Sequence, residues 1–302
     1  MENLNWYFDA AIGVVMLGFI IQGIRKGFSK IIVPFVLNLV FVILAFFTSG
    51  FVADTLYENV IEDSVQTSVD EAVEKFDLTE SFNRQYEELT LIGEASEKEI
   101  DSVLSSEKNM DAKFWKLIDK TSGVGDTVNE SACFTALNNI IKVSLQESIS
   151  KSLPSCSGKY FEHLNEANED ETFLILSMMY SDRKEASKYI ADTCIHDTMF
   201  KFIKLVCFVV MSAVLMILTG IIFSIAYKDR GAGAEGAGDA AAGVLIELVN
   251  GLMVIMVLAV LVKIMIYSGI QIDNIADDNT LNNSYVFKYL YNIDKFMPGS
   301  RM

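Results

Sequence analysis

The chain has only two histidines in 302 residues, His163 and His196, and four cysteines without any paired Cys motif. A metal centre needs three or four ligands at compatible spacing. His163, and Cys194 with His196, fall short of that, so no metal is expected. No Ser/His/Asp or Cys/His arrangement stands out either, and the chain reads as non-enzymatic. Cys133, Cys156 and Cys194 lie in the central region, where at most one pair can form among three, and Cys207 lies in an apolar run. Unpaired, buried thiols are the expectation. Period-two alternation of the strand type is missing, and so is any internal repeat. A literal G-x-G-x-x-G occurs at Gly231, Gly233 and Gly236, but it lacks the βαβ setting of a dinucleotide site. Its Ala/Gly-rich surroundings read as a flexible linker, and no cofactor is expected.

Charge is nearly missing from four stretches, residues 8–24, 31–53, 205–227 and 241–267, in a chain that is 51% hydrophobic. Each approaches or exceeds the ~20 apolar residues that carry a helix across ~30 Å of hydrocarbon. Length alone would suggest two soluble domains; these runs override that and predict an all-α protein with four transmembrane helices. Residues 54–200 carry 30 acidic against 13 basic residues, a balance of −17, while the remainder is near neutral at +1. A region so acidic has no electrostatic reason to seek nucleic acid or an anionic lipid surface. Cations or basic proteins suit it better.

Basic residues are scarce beside the runs, and their placement suggests an orientation. Arg25, Lys26 and Lys30 crowd the short loop between the first two runs, while the seven residues before the first run hold no Lys or Arg. By the positive-inside rule that loop is cytoplasmic. Lys228 and Arg230 assign the loop near 227–240 to the same side, which leaves both termini and the central region outside. Lys201 and Lys204 at the entrance of the third run oppose this, although lysines snorkel and long loops translocate regardless of charge. The first run lacks the basic n-region and cleavage site of a signal peptide. The organisation expected is a first hairpin over 1–53, an acidic helical extracytoplasmic domain over 54–200, a second hairpin over 201–267 and a C-terminal amphipathic tail over 268–302.

Within the central region, Leu56, Val60, Ile61, Val65, Val69, Val73 and Phe76 recur at helical spacing and predict that the second span continues outward as an amphipathic helix. A second helical stretch carries Phe134, Leu137, Ile140, Ile141, Leu145, Ile149 and Leu153 and ends at Pro154; a third runs over 172–190 and feeds the third span. Residues 77–125 are polar and weakly patterned. In the tail, Leu281, Tyr285, Tyr289, Leu290, Ile293 and Phe296 share a predicted helix face. That helix is expected either in the membrane interface or packed on the central region.

Small residues in the spans mark helix packing. Gly23 and Gly27 are four apart at the inner end of the first span; Gly243 and Gly251 are eight apart in the fourth. Such spacing lets backbones approach closely in lipid, within one chain or between subunits. Glu247 lies between the latter two on the same face, and a carboxylate inside a span faces protein or water. A structural hydrogen-bonding role and an ion or proton path are both open to it.

The order of these features resembles the colicin V production protein (CvpA-like) family. Trp6 and Asp9 followed by Gly23-Ile24-Arg25-Lys26-Gly27-Phe28 are similar to its aromatic-Asp start and G-x-R-x-G-F turn. Asp239, Gly243, Asn250 and Gly251 resemble its D-R-x-x-G-x-x-x-G-x-x-R/K-G stretch, and Leu281-Asn282-Asn283-Ser284 with Tyr289-Leu290 its short C-terminal amphipathic helix. Ala240, Glu247 and Asn250 depart from the Arg, Gly and basic residue usual there, and residues 54–200 have no counterpart in short members. The resemblance implies an integral inner-membrane protein linked to colicin V production or export and to envelope homeostasis. The expectation is a membrane scaffold in the bilayer, with a homo-oligomer and an envelope or secretion partner for the acidic region left open. The rival is a small oligomeric channel or transporter, for which Asn38, Glu247 and Asn250 speak.

Overall fold

The computed structural model describes residues 6–105, 109–122, 129–153, 159–162, 164, 169–226, 236–268 and 281–297. Lys228, Arg230, Gly231, Gly233, His163, Cys156 and Pro154 lie outside the described residues. The chain is all-helical, with no strand among the described residues. Four helical runs are long and apolar enough to cross a membrane, Trp6–Lys26, Phe28–Glu74, Arg183–Ile225 and Ala237–Tyr267. Their outward faces are apolar: Val14, Phe51, Ile225 and Leu245 are each 67–77% exposed. A contiguous surface of that kind is abnormal in water and ordinary against acyl chains, and four such helices mark a multi-pass membrane protein.

The chain divides into two compact units, Met1–Tyr57 with Phe200–Met302, and Glu58–Met199. In the first, α1 (Trp6–Lys26) and α2 (Phe28–Leu56) are separated only by Gly27. Its φ of 72° lies in the left-handed region open to glycine, and its N–H closes on Gly23 O at 3.0 Å. α10 (His196–Ala226) and α11 (Ala237–Tyr267) supply the other spans. The main neighbour of α1 is α11, which also packs along α2, while α1 and α2 touch sparingly. Val42 and Ala45 of α2, Phe208 of α10 and Val257 and Val260 of α11 form the shared apolar core.

The tail, α12 (Phe287–Tyr291) and a 3-10 turn over Ile293–Phe296, belongs to this same unit. Its buried face, with Leu281, Phe287 and Tyr291, rests on Phe8 and Ile12 of α1 and Ala259 of α11. The single face expected from sequence is split, because no continuous helix carries a 3.6-residue period through the segment. Tyr285, Tyr289 and Phe296 are 69–77% exposed, whereas Leu281, Phe287, Tyr291 and Met297 are buried.

The second unit holds α3 (Glu62–Glu74), α4 (Leu78–Glu88), α5 (Glu97–Leu104), α6 (Met110–Ser122), α7 (Glu130–Ser150), α8 (Glu169–Ser181) and α9 (Arg183–Tyr189). π-turns at Tyr57–Ile61 and Ile190–Ile195 precede α3 and follow α9. The third stretch read from sequence breaks at Asp182, whose carboxylate caps α9 by accepting from Lys184 N at 2.9 Å. The weakly patterned residues 77–125 contribute three helices. Two of their N-termini have a local reason: Asp77 caps α4, and Ser96 with Glu99 forms a capping box on α5. Phe82, Phe114, Phe173 and Phe134 form a chain of rings 5.0–5.3 Å apart through its core. Cys133 and Cys194 are buried free thiols there, and Cys207 is one in α10.

Candidate functional site

The residues singled out from sequence meet mostly where α1, α2 and α11 come together. At Gly23 an added Cβ would stand 2.7 Å from Val244 Cα and 2.8 Å from Gly243 O. At Gly243 it would stand 2.7 Å from Gly23 O and 2.8 Å from the carbonyl carbon of Gly27. The end of α1 and the start of α11 therefore cross backbone on backbone, which only glycine permits on either side. One turn pair further along, a Cβ on Gly251 would meet Phe19 Cδ2 at 2.9 Å and Met16 Sδ at 3.0 Å.

Two carboxylates tie distant segments to this crossing. Asp239 accepts from Ser29 N at 3.1 Å and Ser29 Oγ at 2.9 Å, so the first turn of α11 caps the N-terminus of α2. Asp9 accepts from the backbone N–H groups of Tyr285, Val286 and Phe287 at 2.8, 3.0 and 3.1 Å, and so caps α12 from α1. Orphan N–H groups of a helix start are satisfied here by an acid from another part of the chain. At the other end of α12, Lys263 of α11, 5% exposed, donates to Tyr291 O at 3.4 Å and lies 4.9 Å from that ring's centroid. Arg25, Lys26 and Phe28 are exposed around the Gly27 turn.

The close crossing brings Gln22, next to Gly23, within reach of Glu247. Gln22 Nε2 donates to Glu247 Oε1 at 3.2 Å, and Asn250 Nδ2 donates to Oε2 at 3.1 Å. Asn38 Nδ2 donates to Asn250 Oδ1 at 3.4 Å. Glu247 is 2% exposed, so each carboxylate oxygen has exchanged water for an amide donor. Asn38 Oδ1 is also buried and has no partner. This network forms the inner wall of a cavity of about 440 Å3 that Lys26 and Lys30 also line. Sequence reasoning had Asn38, Glu247 and Asn250 but missed Gln22 and Lys263. Their one signal was a polar side chain inside a long apolar run, and it was available for both.

The other unit has a cavity of about 380 Å3 beside Asp77, Asp101 and Arg183. Arg183 Nη1 is engaged there with Val73 O at 2.8 Å and Glu74 O at 2.5 Å, ending α3. Burial, and then the Glu130 carboxylate, push the Cys133 thiol up to about 11; burial likewise raises Cys194. Such thiols are poor nucleophiles at neutral pH. No group of three His, Cys, Asp or Glu among the described residues could hold a metal. No family model, no curated protein and no solved structure matches this chain.

Proposed function

We propose that this chain is a non-enzymatic, CvpA-like multi-pass membrane protein, a scaffold that supports colicin V-type toxin production or export, or envelope homeostasis. One observation carries the reading. Asp9, Gly23, Gly27, Asp239, Gly243 and Gly251, six of the residues that carry the resemblance, are engaged in helix crossings and caps between distant segments. A motif spent on holding helices together serves a body that must keep its shape. On this reading the spans form two hairpins, the Arg25–Lys26–Lys30 turn is cytoplasmic, and the acidic region lies outside, open to a basic or cationic partner. Cysteine labelling at positions 126 and 233, both outside the described residues, tests the orientation; only the first should react from outside. Co-purification of a secretion or envelope protein, lost when the acidic region is deleted, supports the scaffold, and its absence in crosslinked membranes refutes it.

The cavity beside Glu247 favours a second reading, a small oligomeric channel or transporter. Flux in proteoliposomes that Glu247→Gln abolishes would replace the scaffold by this reading. A monomer in membranes removes a pore, because four helices enclose little room.

A further inference from the structure

The cavity between α1, α2, α10 and α11 is chemically polarised. At the end near the Gly27 turn it is lined by Lys26 and Lys30, and along its sides by Ile31, Pro34, Phe35 and Phe223. Its far end is lined by Asn38, Glu247 and Asn250. Asn38 stands ten residues past Phe28 and Glu247 ten past Ala237, about 15 Å along each axis at ~1.5 Å per residue. The site thus runs from the level of lipid headgroups to about the middle of a ~30 Å hydrocarbon layer. Its volume of about 440 Å3 falls in the range of small-molecule sites.

The two ends ask for opposite partners. Ammonium groups at the turn end suit an anion, and phosphate is the anion found at that depth in a bilayer. The inner end offers acceptors. Asn38 Oδ1 is buried without a donor, a condition that native structures correct with a partner. Each Glu247 oxygen accepts one amide and has a further lone pair. Lys26 follows Gln22 by one helical turn, and Gln22 donates to Glu247, so the anion and acceptor subsites are neighbours. The apolar sides accommodate methylenes.

We propose that this cavity binds a phosphate ester carrying a primary amine. The phosphate sits against Lys26 and Lys30, and the amine donates to Asn38 Oδ1 and the Glu247 carboxylate. This chemistry occurs in the phosphoethanolamine headgroup of a lipid and in soluble phosphoamines. The proposal rests on the cavity alone, so a failed flux assay leaves it standing.

The test uses the full chain in phospholipid-free detergent, with native mass spectrometry of bound ligand. The probes are phosphatidylethanolamine, phosphatidylcholine, whose headgroup nitrogen has no N–H, and soluble O-phosphoethanolamine. Phosphatidylethanolamine is expected to bind at least tenfold better than phosphatidylcholine. The Lys26→Ala/Lys30→Ala pair should lower binding of both lipids about tenfold, and Asn38→Leu, which leaves Glu247 as the amine's acceptor, should reduce the preference between them severalfold. Gly220 lines the cavity and an added Cβ there meets nothing within 4 Å, so Gly220→Phe places a ring at the cavity wall while leaving every charge in place. It should abolish binding even if the lysine pair inserts poorly. Binding of O-phosphoethanolamine without lipid identifies a soluble source; binding of the lipid alone identifies the headgroup. Equal affinity for the two lipids, binding indifferent to Gly220→Phe, or no binding of any probe overturns the proposal.

Discussion

Replacing Gly243 by alanine tests the backbone crossing directly. The new Cβ would lie 2.7, 2.8 and 2.9 Å from Gly23 O, Gly27 C and Gly27 Cα, against the 3.4 Å at which ordinary contact begins. All three are backbone atoms, so no rotamer change relieves them, and α1 must retreat by about 0.5–0.7 Å. Gln22 travels with it. Its 3.2 Å bond to Glu247 would stretch to about 3.7–3.9 Å, beyond hydrogen-bond length. Overpacking of this kind costs about 1–3 kcal/mol, and loss of a donor to a buried carboxylate adds to it. Better helix propensity of alanine returns at most ~1 kcal/mol. The net expectation is a destabilisation of about 1–3 kcal/mol, a factor of about 5–150 in the unfolding equilibrium. Unfolding in mixed micelles of rising SDS fraction, followed by circular dichroism, measures it. Gly18→Ala and Gly220→Ala are the controls, since a Cβ there meets nothing within 4 Å. If Gly243→Ala is as stable as Gly18→Ala, the crossing does not hold the unit together and the argument fails.

Asp9→Ala should free the amides of Tyr285, Val286 and Phe287, speeding their hydrogen exchange about 2- to 30-fold for a cap worth about 0.5–2 kcal/mol; unchanged exchange would deny Asp9 that role. Glu99 is held down to about 2 by the Lys120 ammonium and by the Ser96 hydroxyl and N–H. A lowered folded-state value means stability that is present above the unfolded carboxylate range and lost as pH falls from about 4.5 to 2. Lys120→Ala should shrink that loss in thermal unfolding across the window, and an identical pH profile would refute the pairing. With its thiol at about 11, Cys133 is only about one part in a thousand thiolate at pH 8. Native protein should therefore resist maleimide at Cys133 and the equally buried Cys194, and react fully in SDS; rapid native labelling would contradict their burial.

The spans were legible because an apolar run of that length has one common use, and Gly23 with Gly243 because small residues in lipid usually mark a crossing. What the crossing touches was not legible. Asp239 caps a residue 210 positions away and Asp9 one 276 away, and no local pattern encodes such a partner. The helices over 77–125 were hidden for another reason. Their apolar faces are one or two turns long, as with Phe82 and Tyr86 or Ile100 and Leu104, too short for a period to stand out. The Ser96-x-x-Glu99 box was the readable sign of α5, since it needs only four residues. The tail misled because its periodicity runs through a 3-10 turn that the eye takes for helix.

The tie between Asp9 and Tyr285 gives the protein a clock. Ribosomes add about 5–20 residues per second, so the first span waits roughly 14–55 s for the backbone that satisfies its carboxylate, 276 residues later. Until then the membrane unit exists with an acid whose amide partners have not yet been made. A chain released before residue 285 leaves that carboxylate without these three amides. Arrival of residues 285–287 is thereby registered as a physical property of the folded bundle.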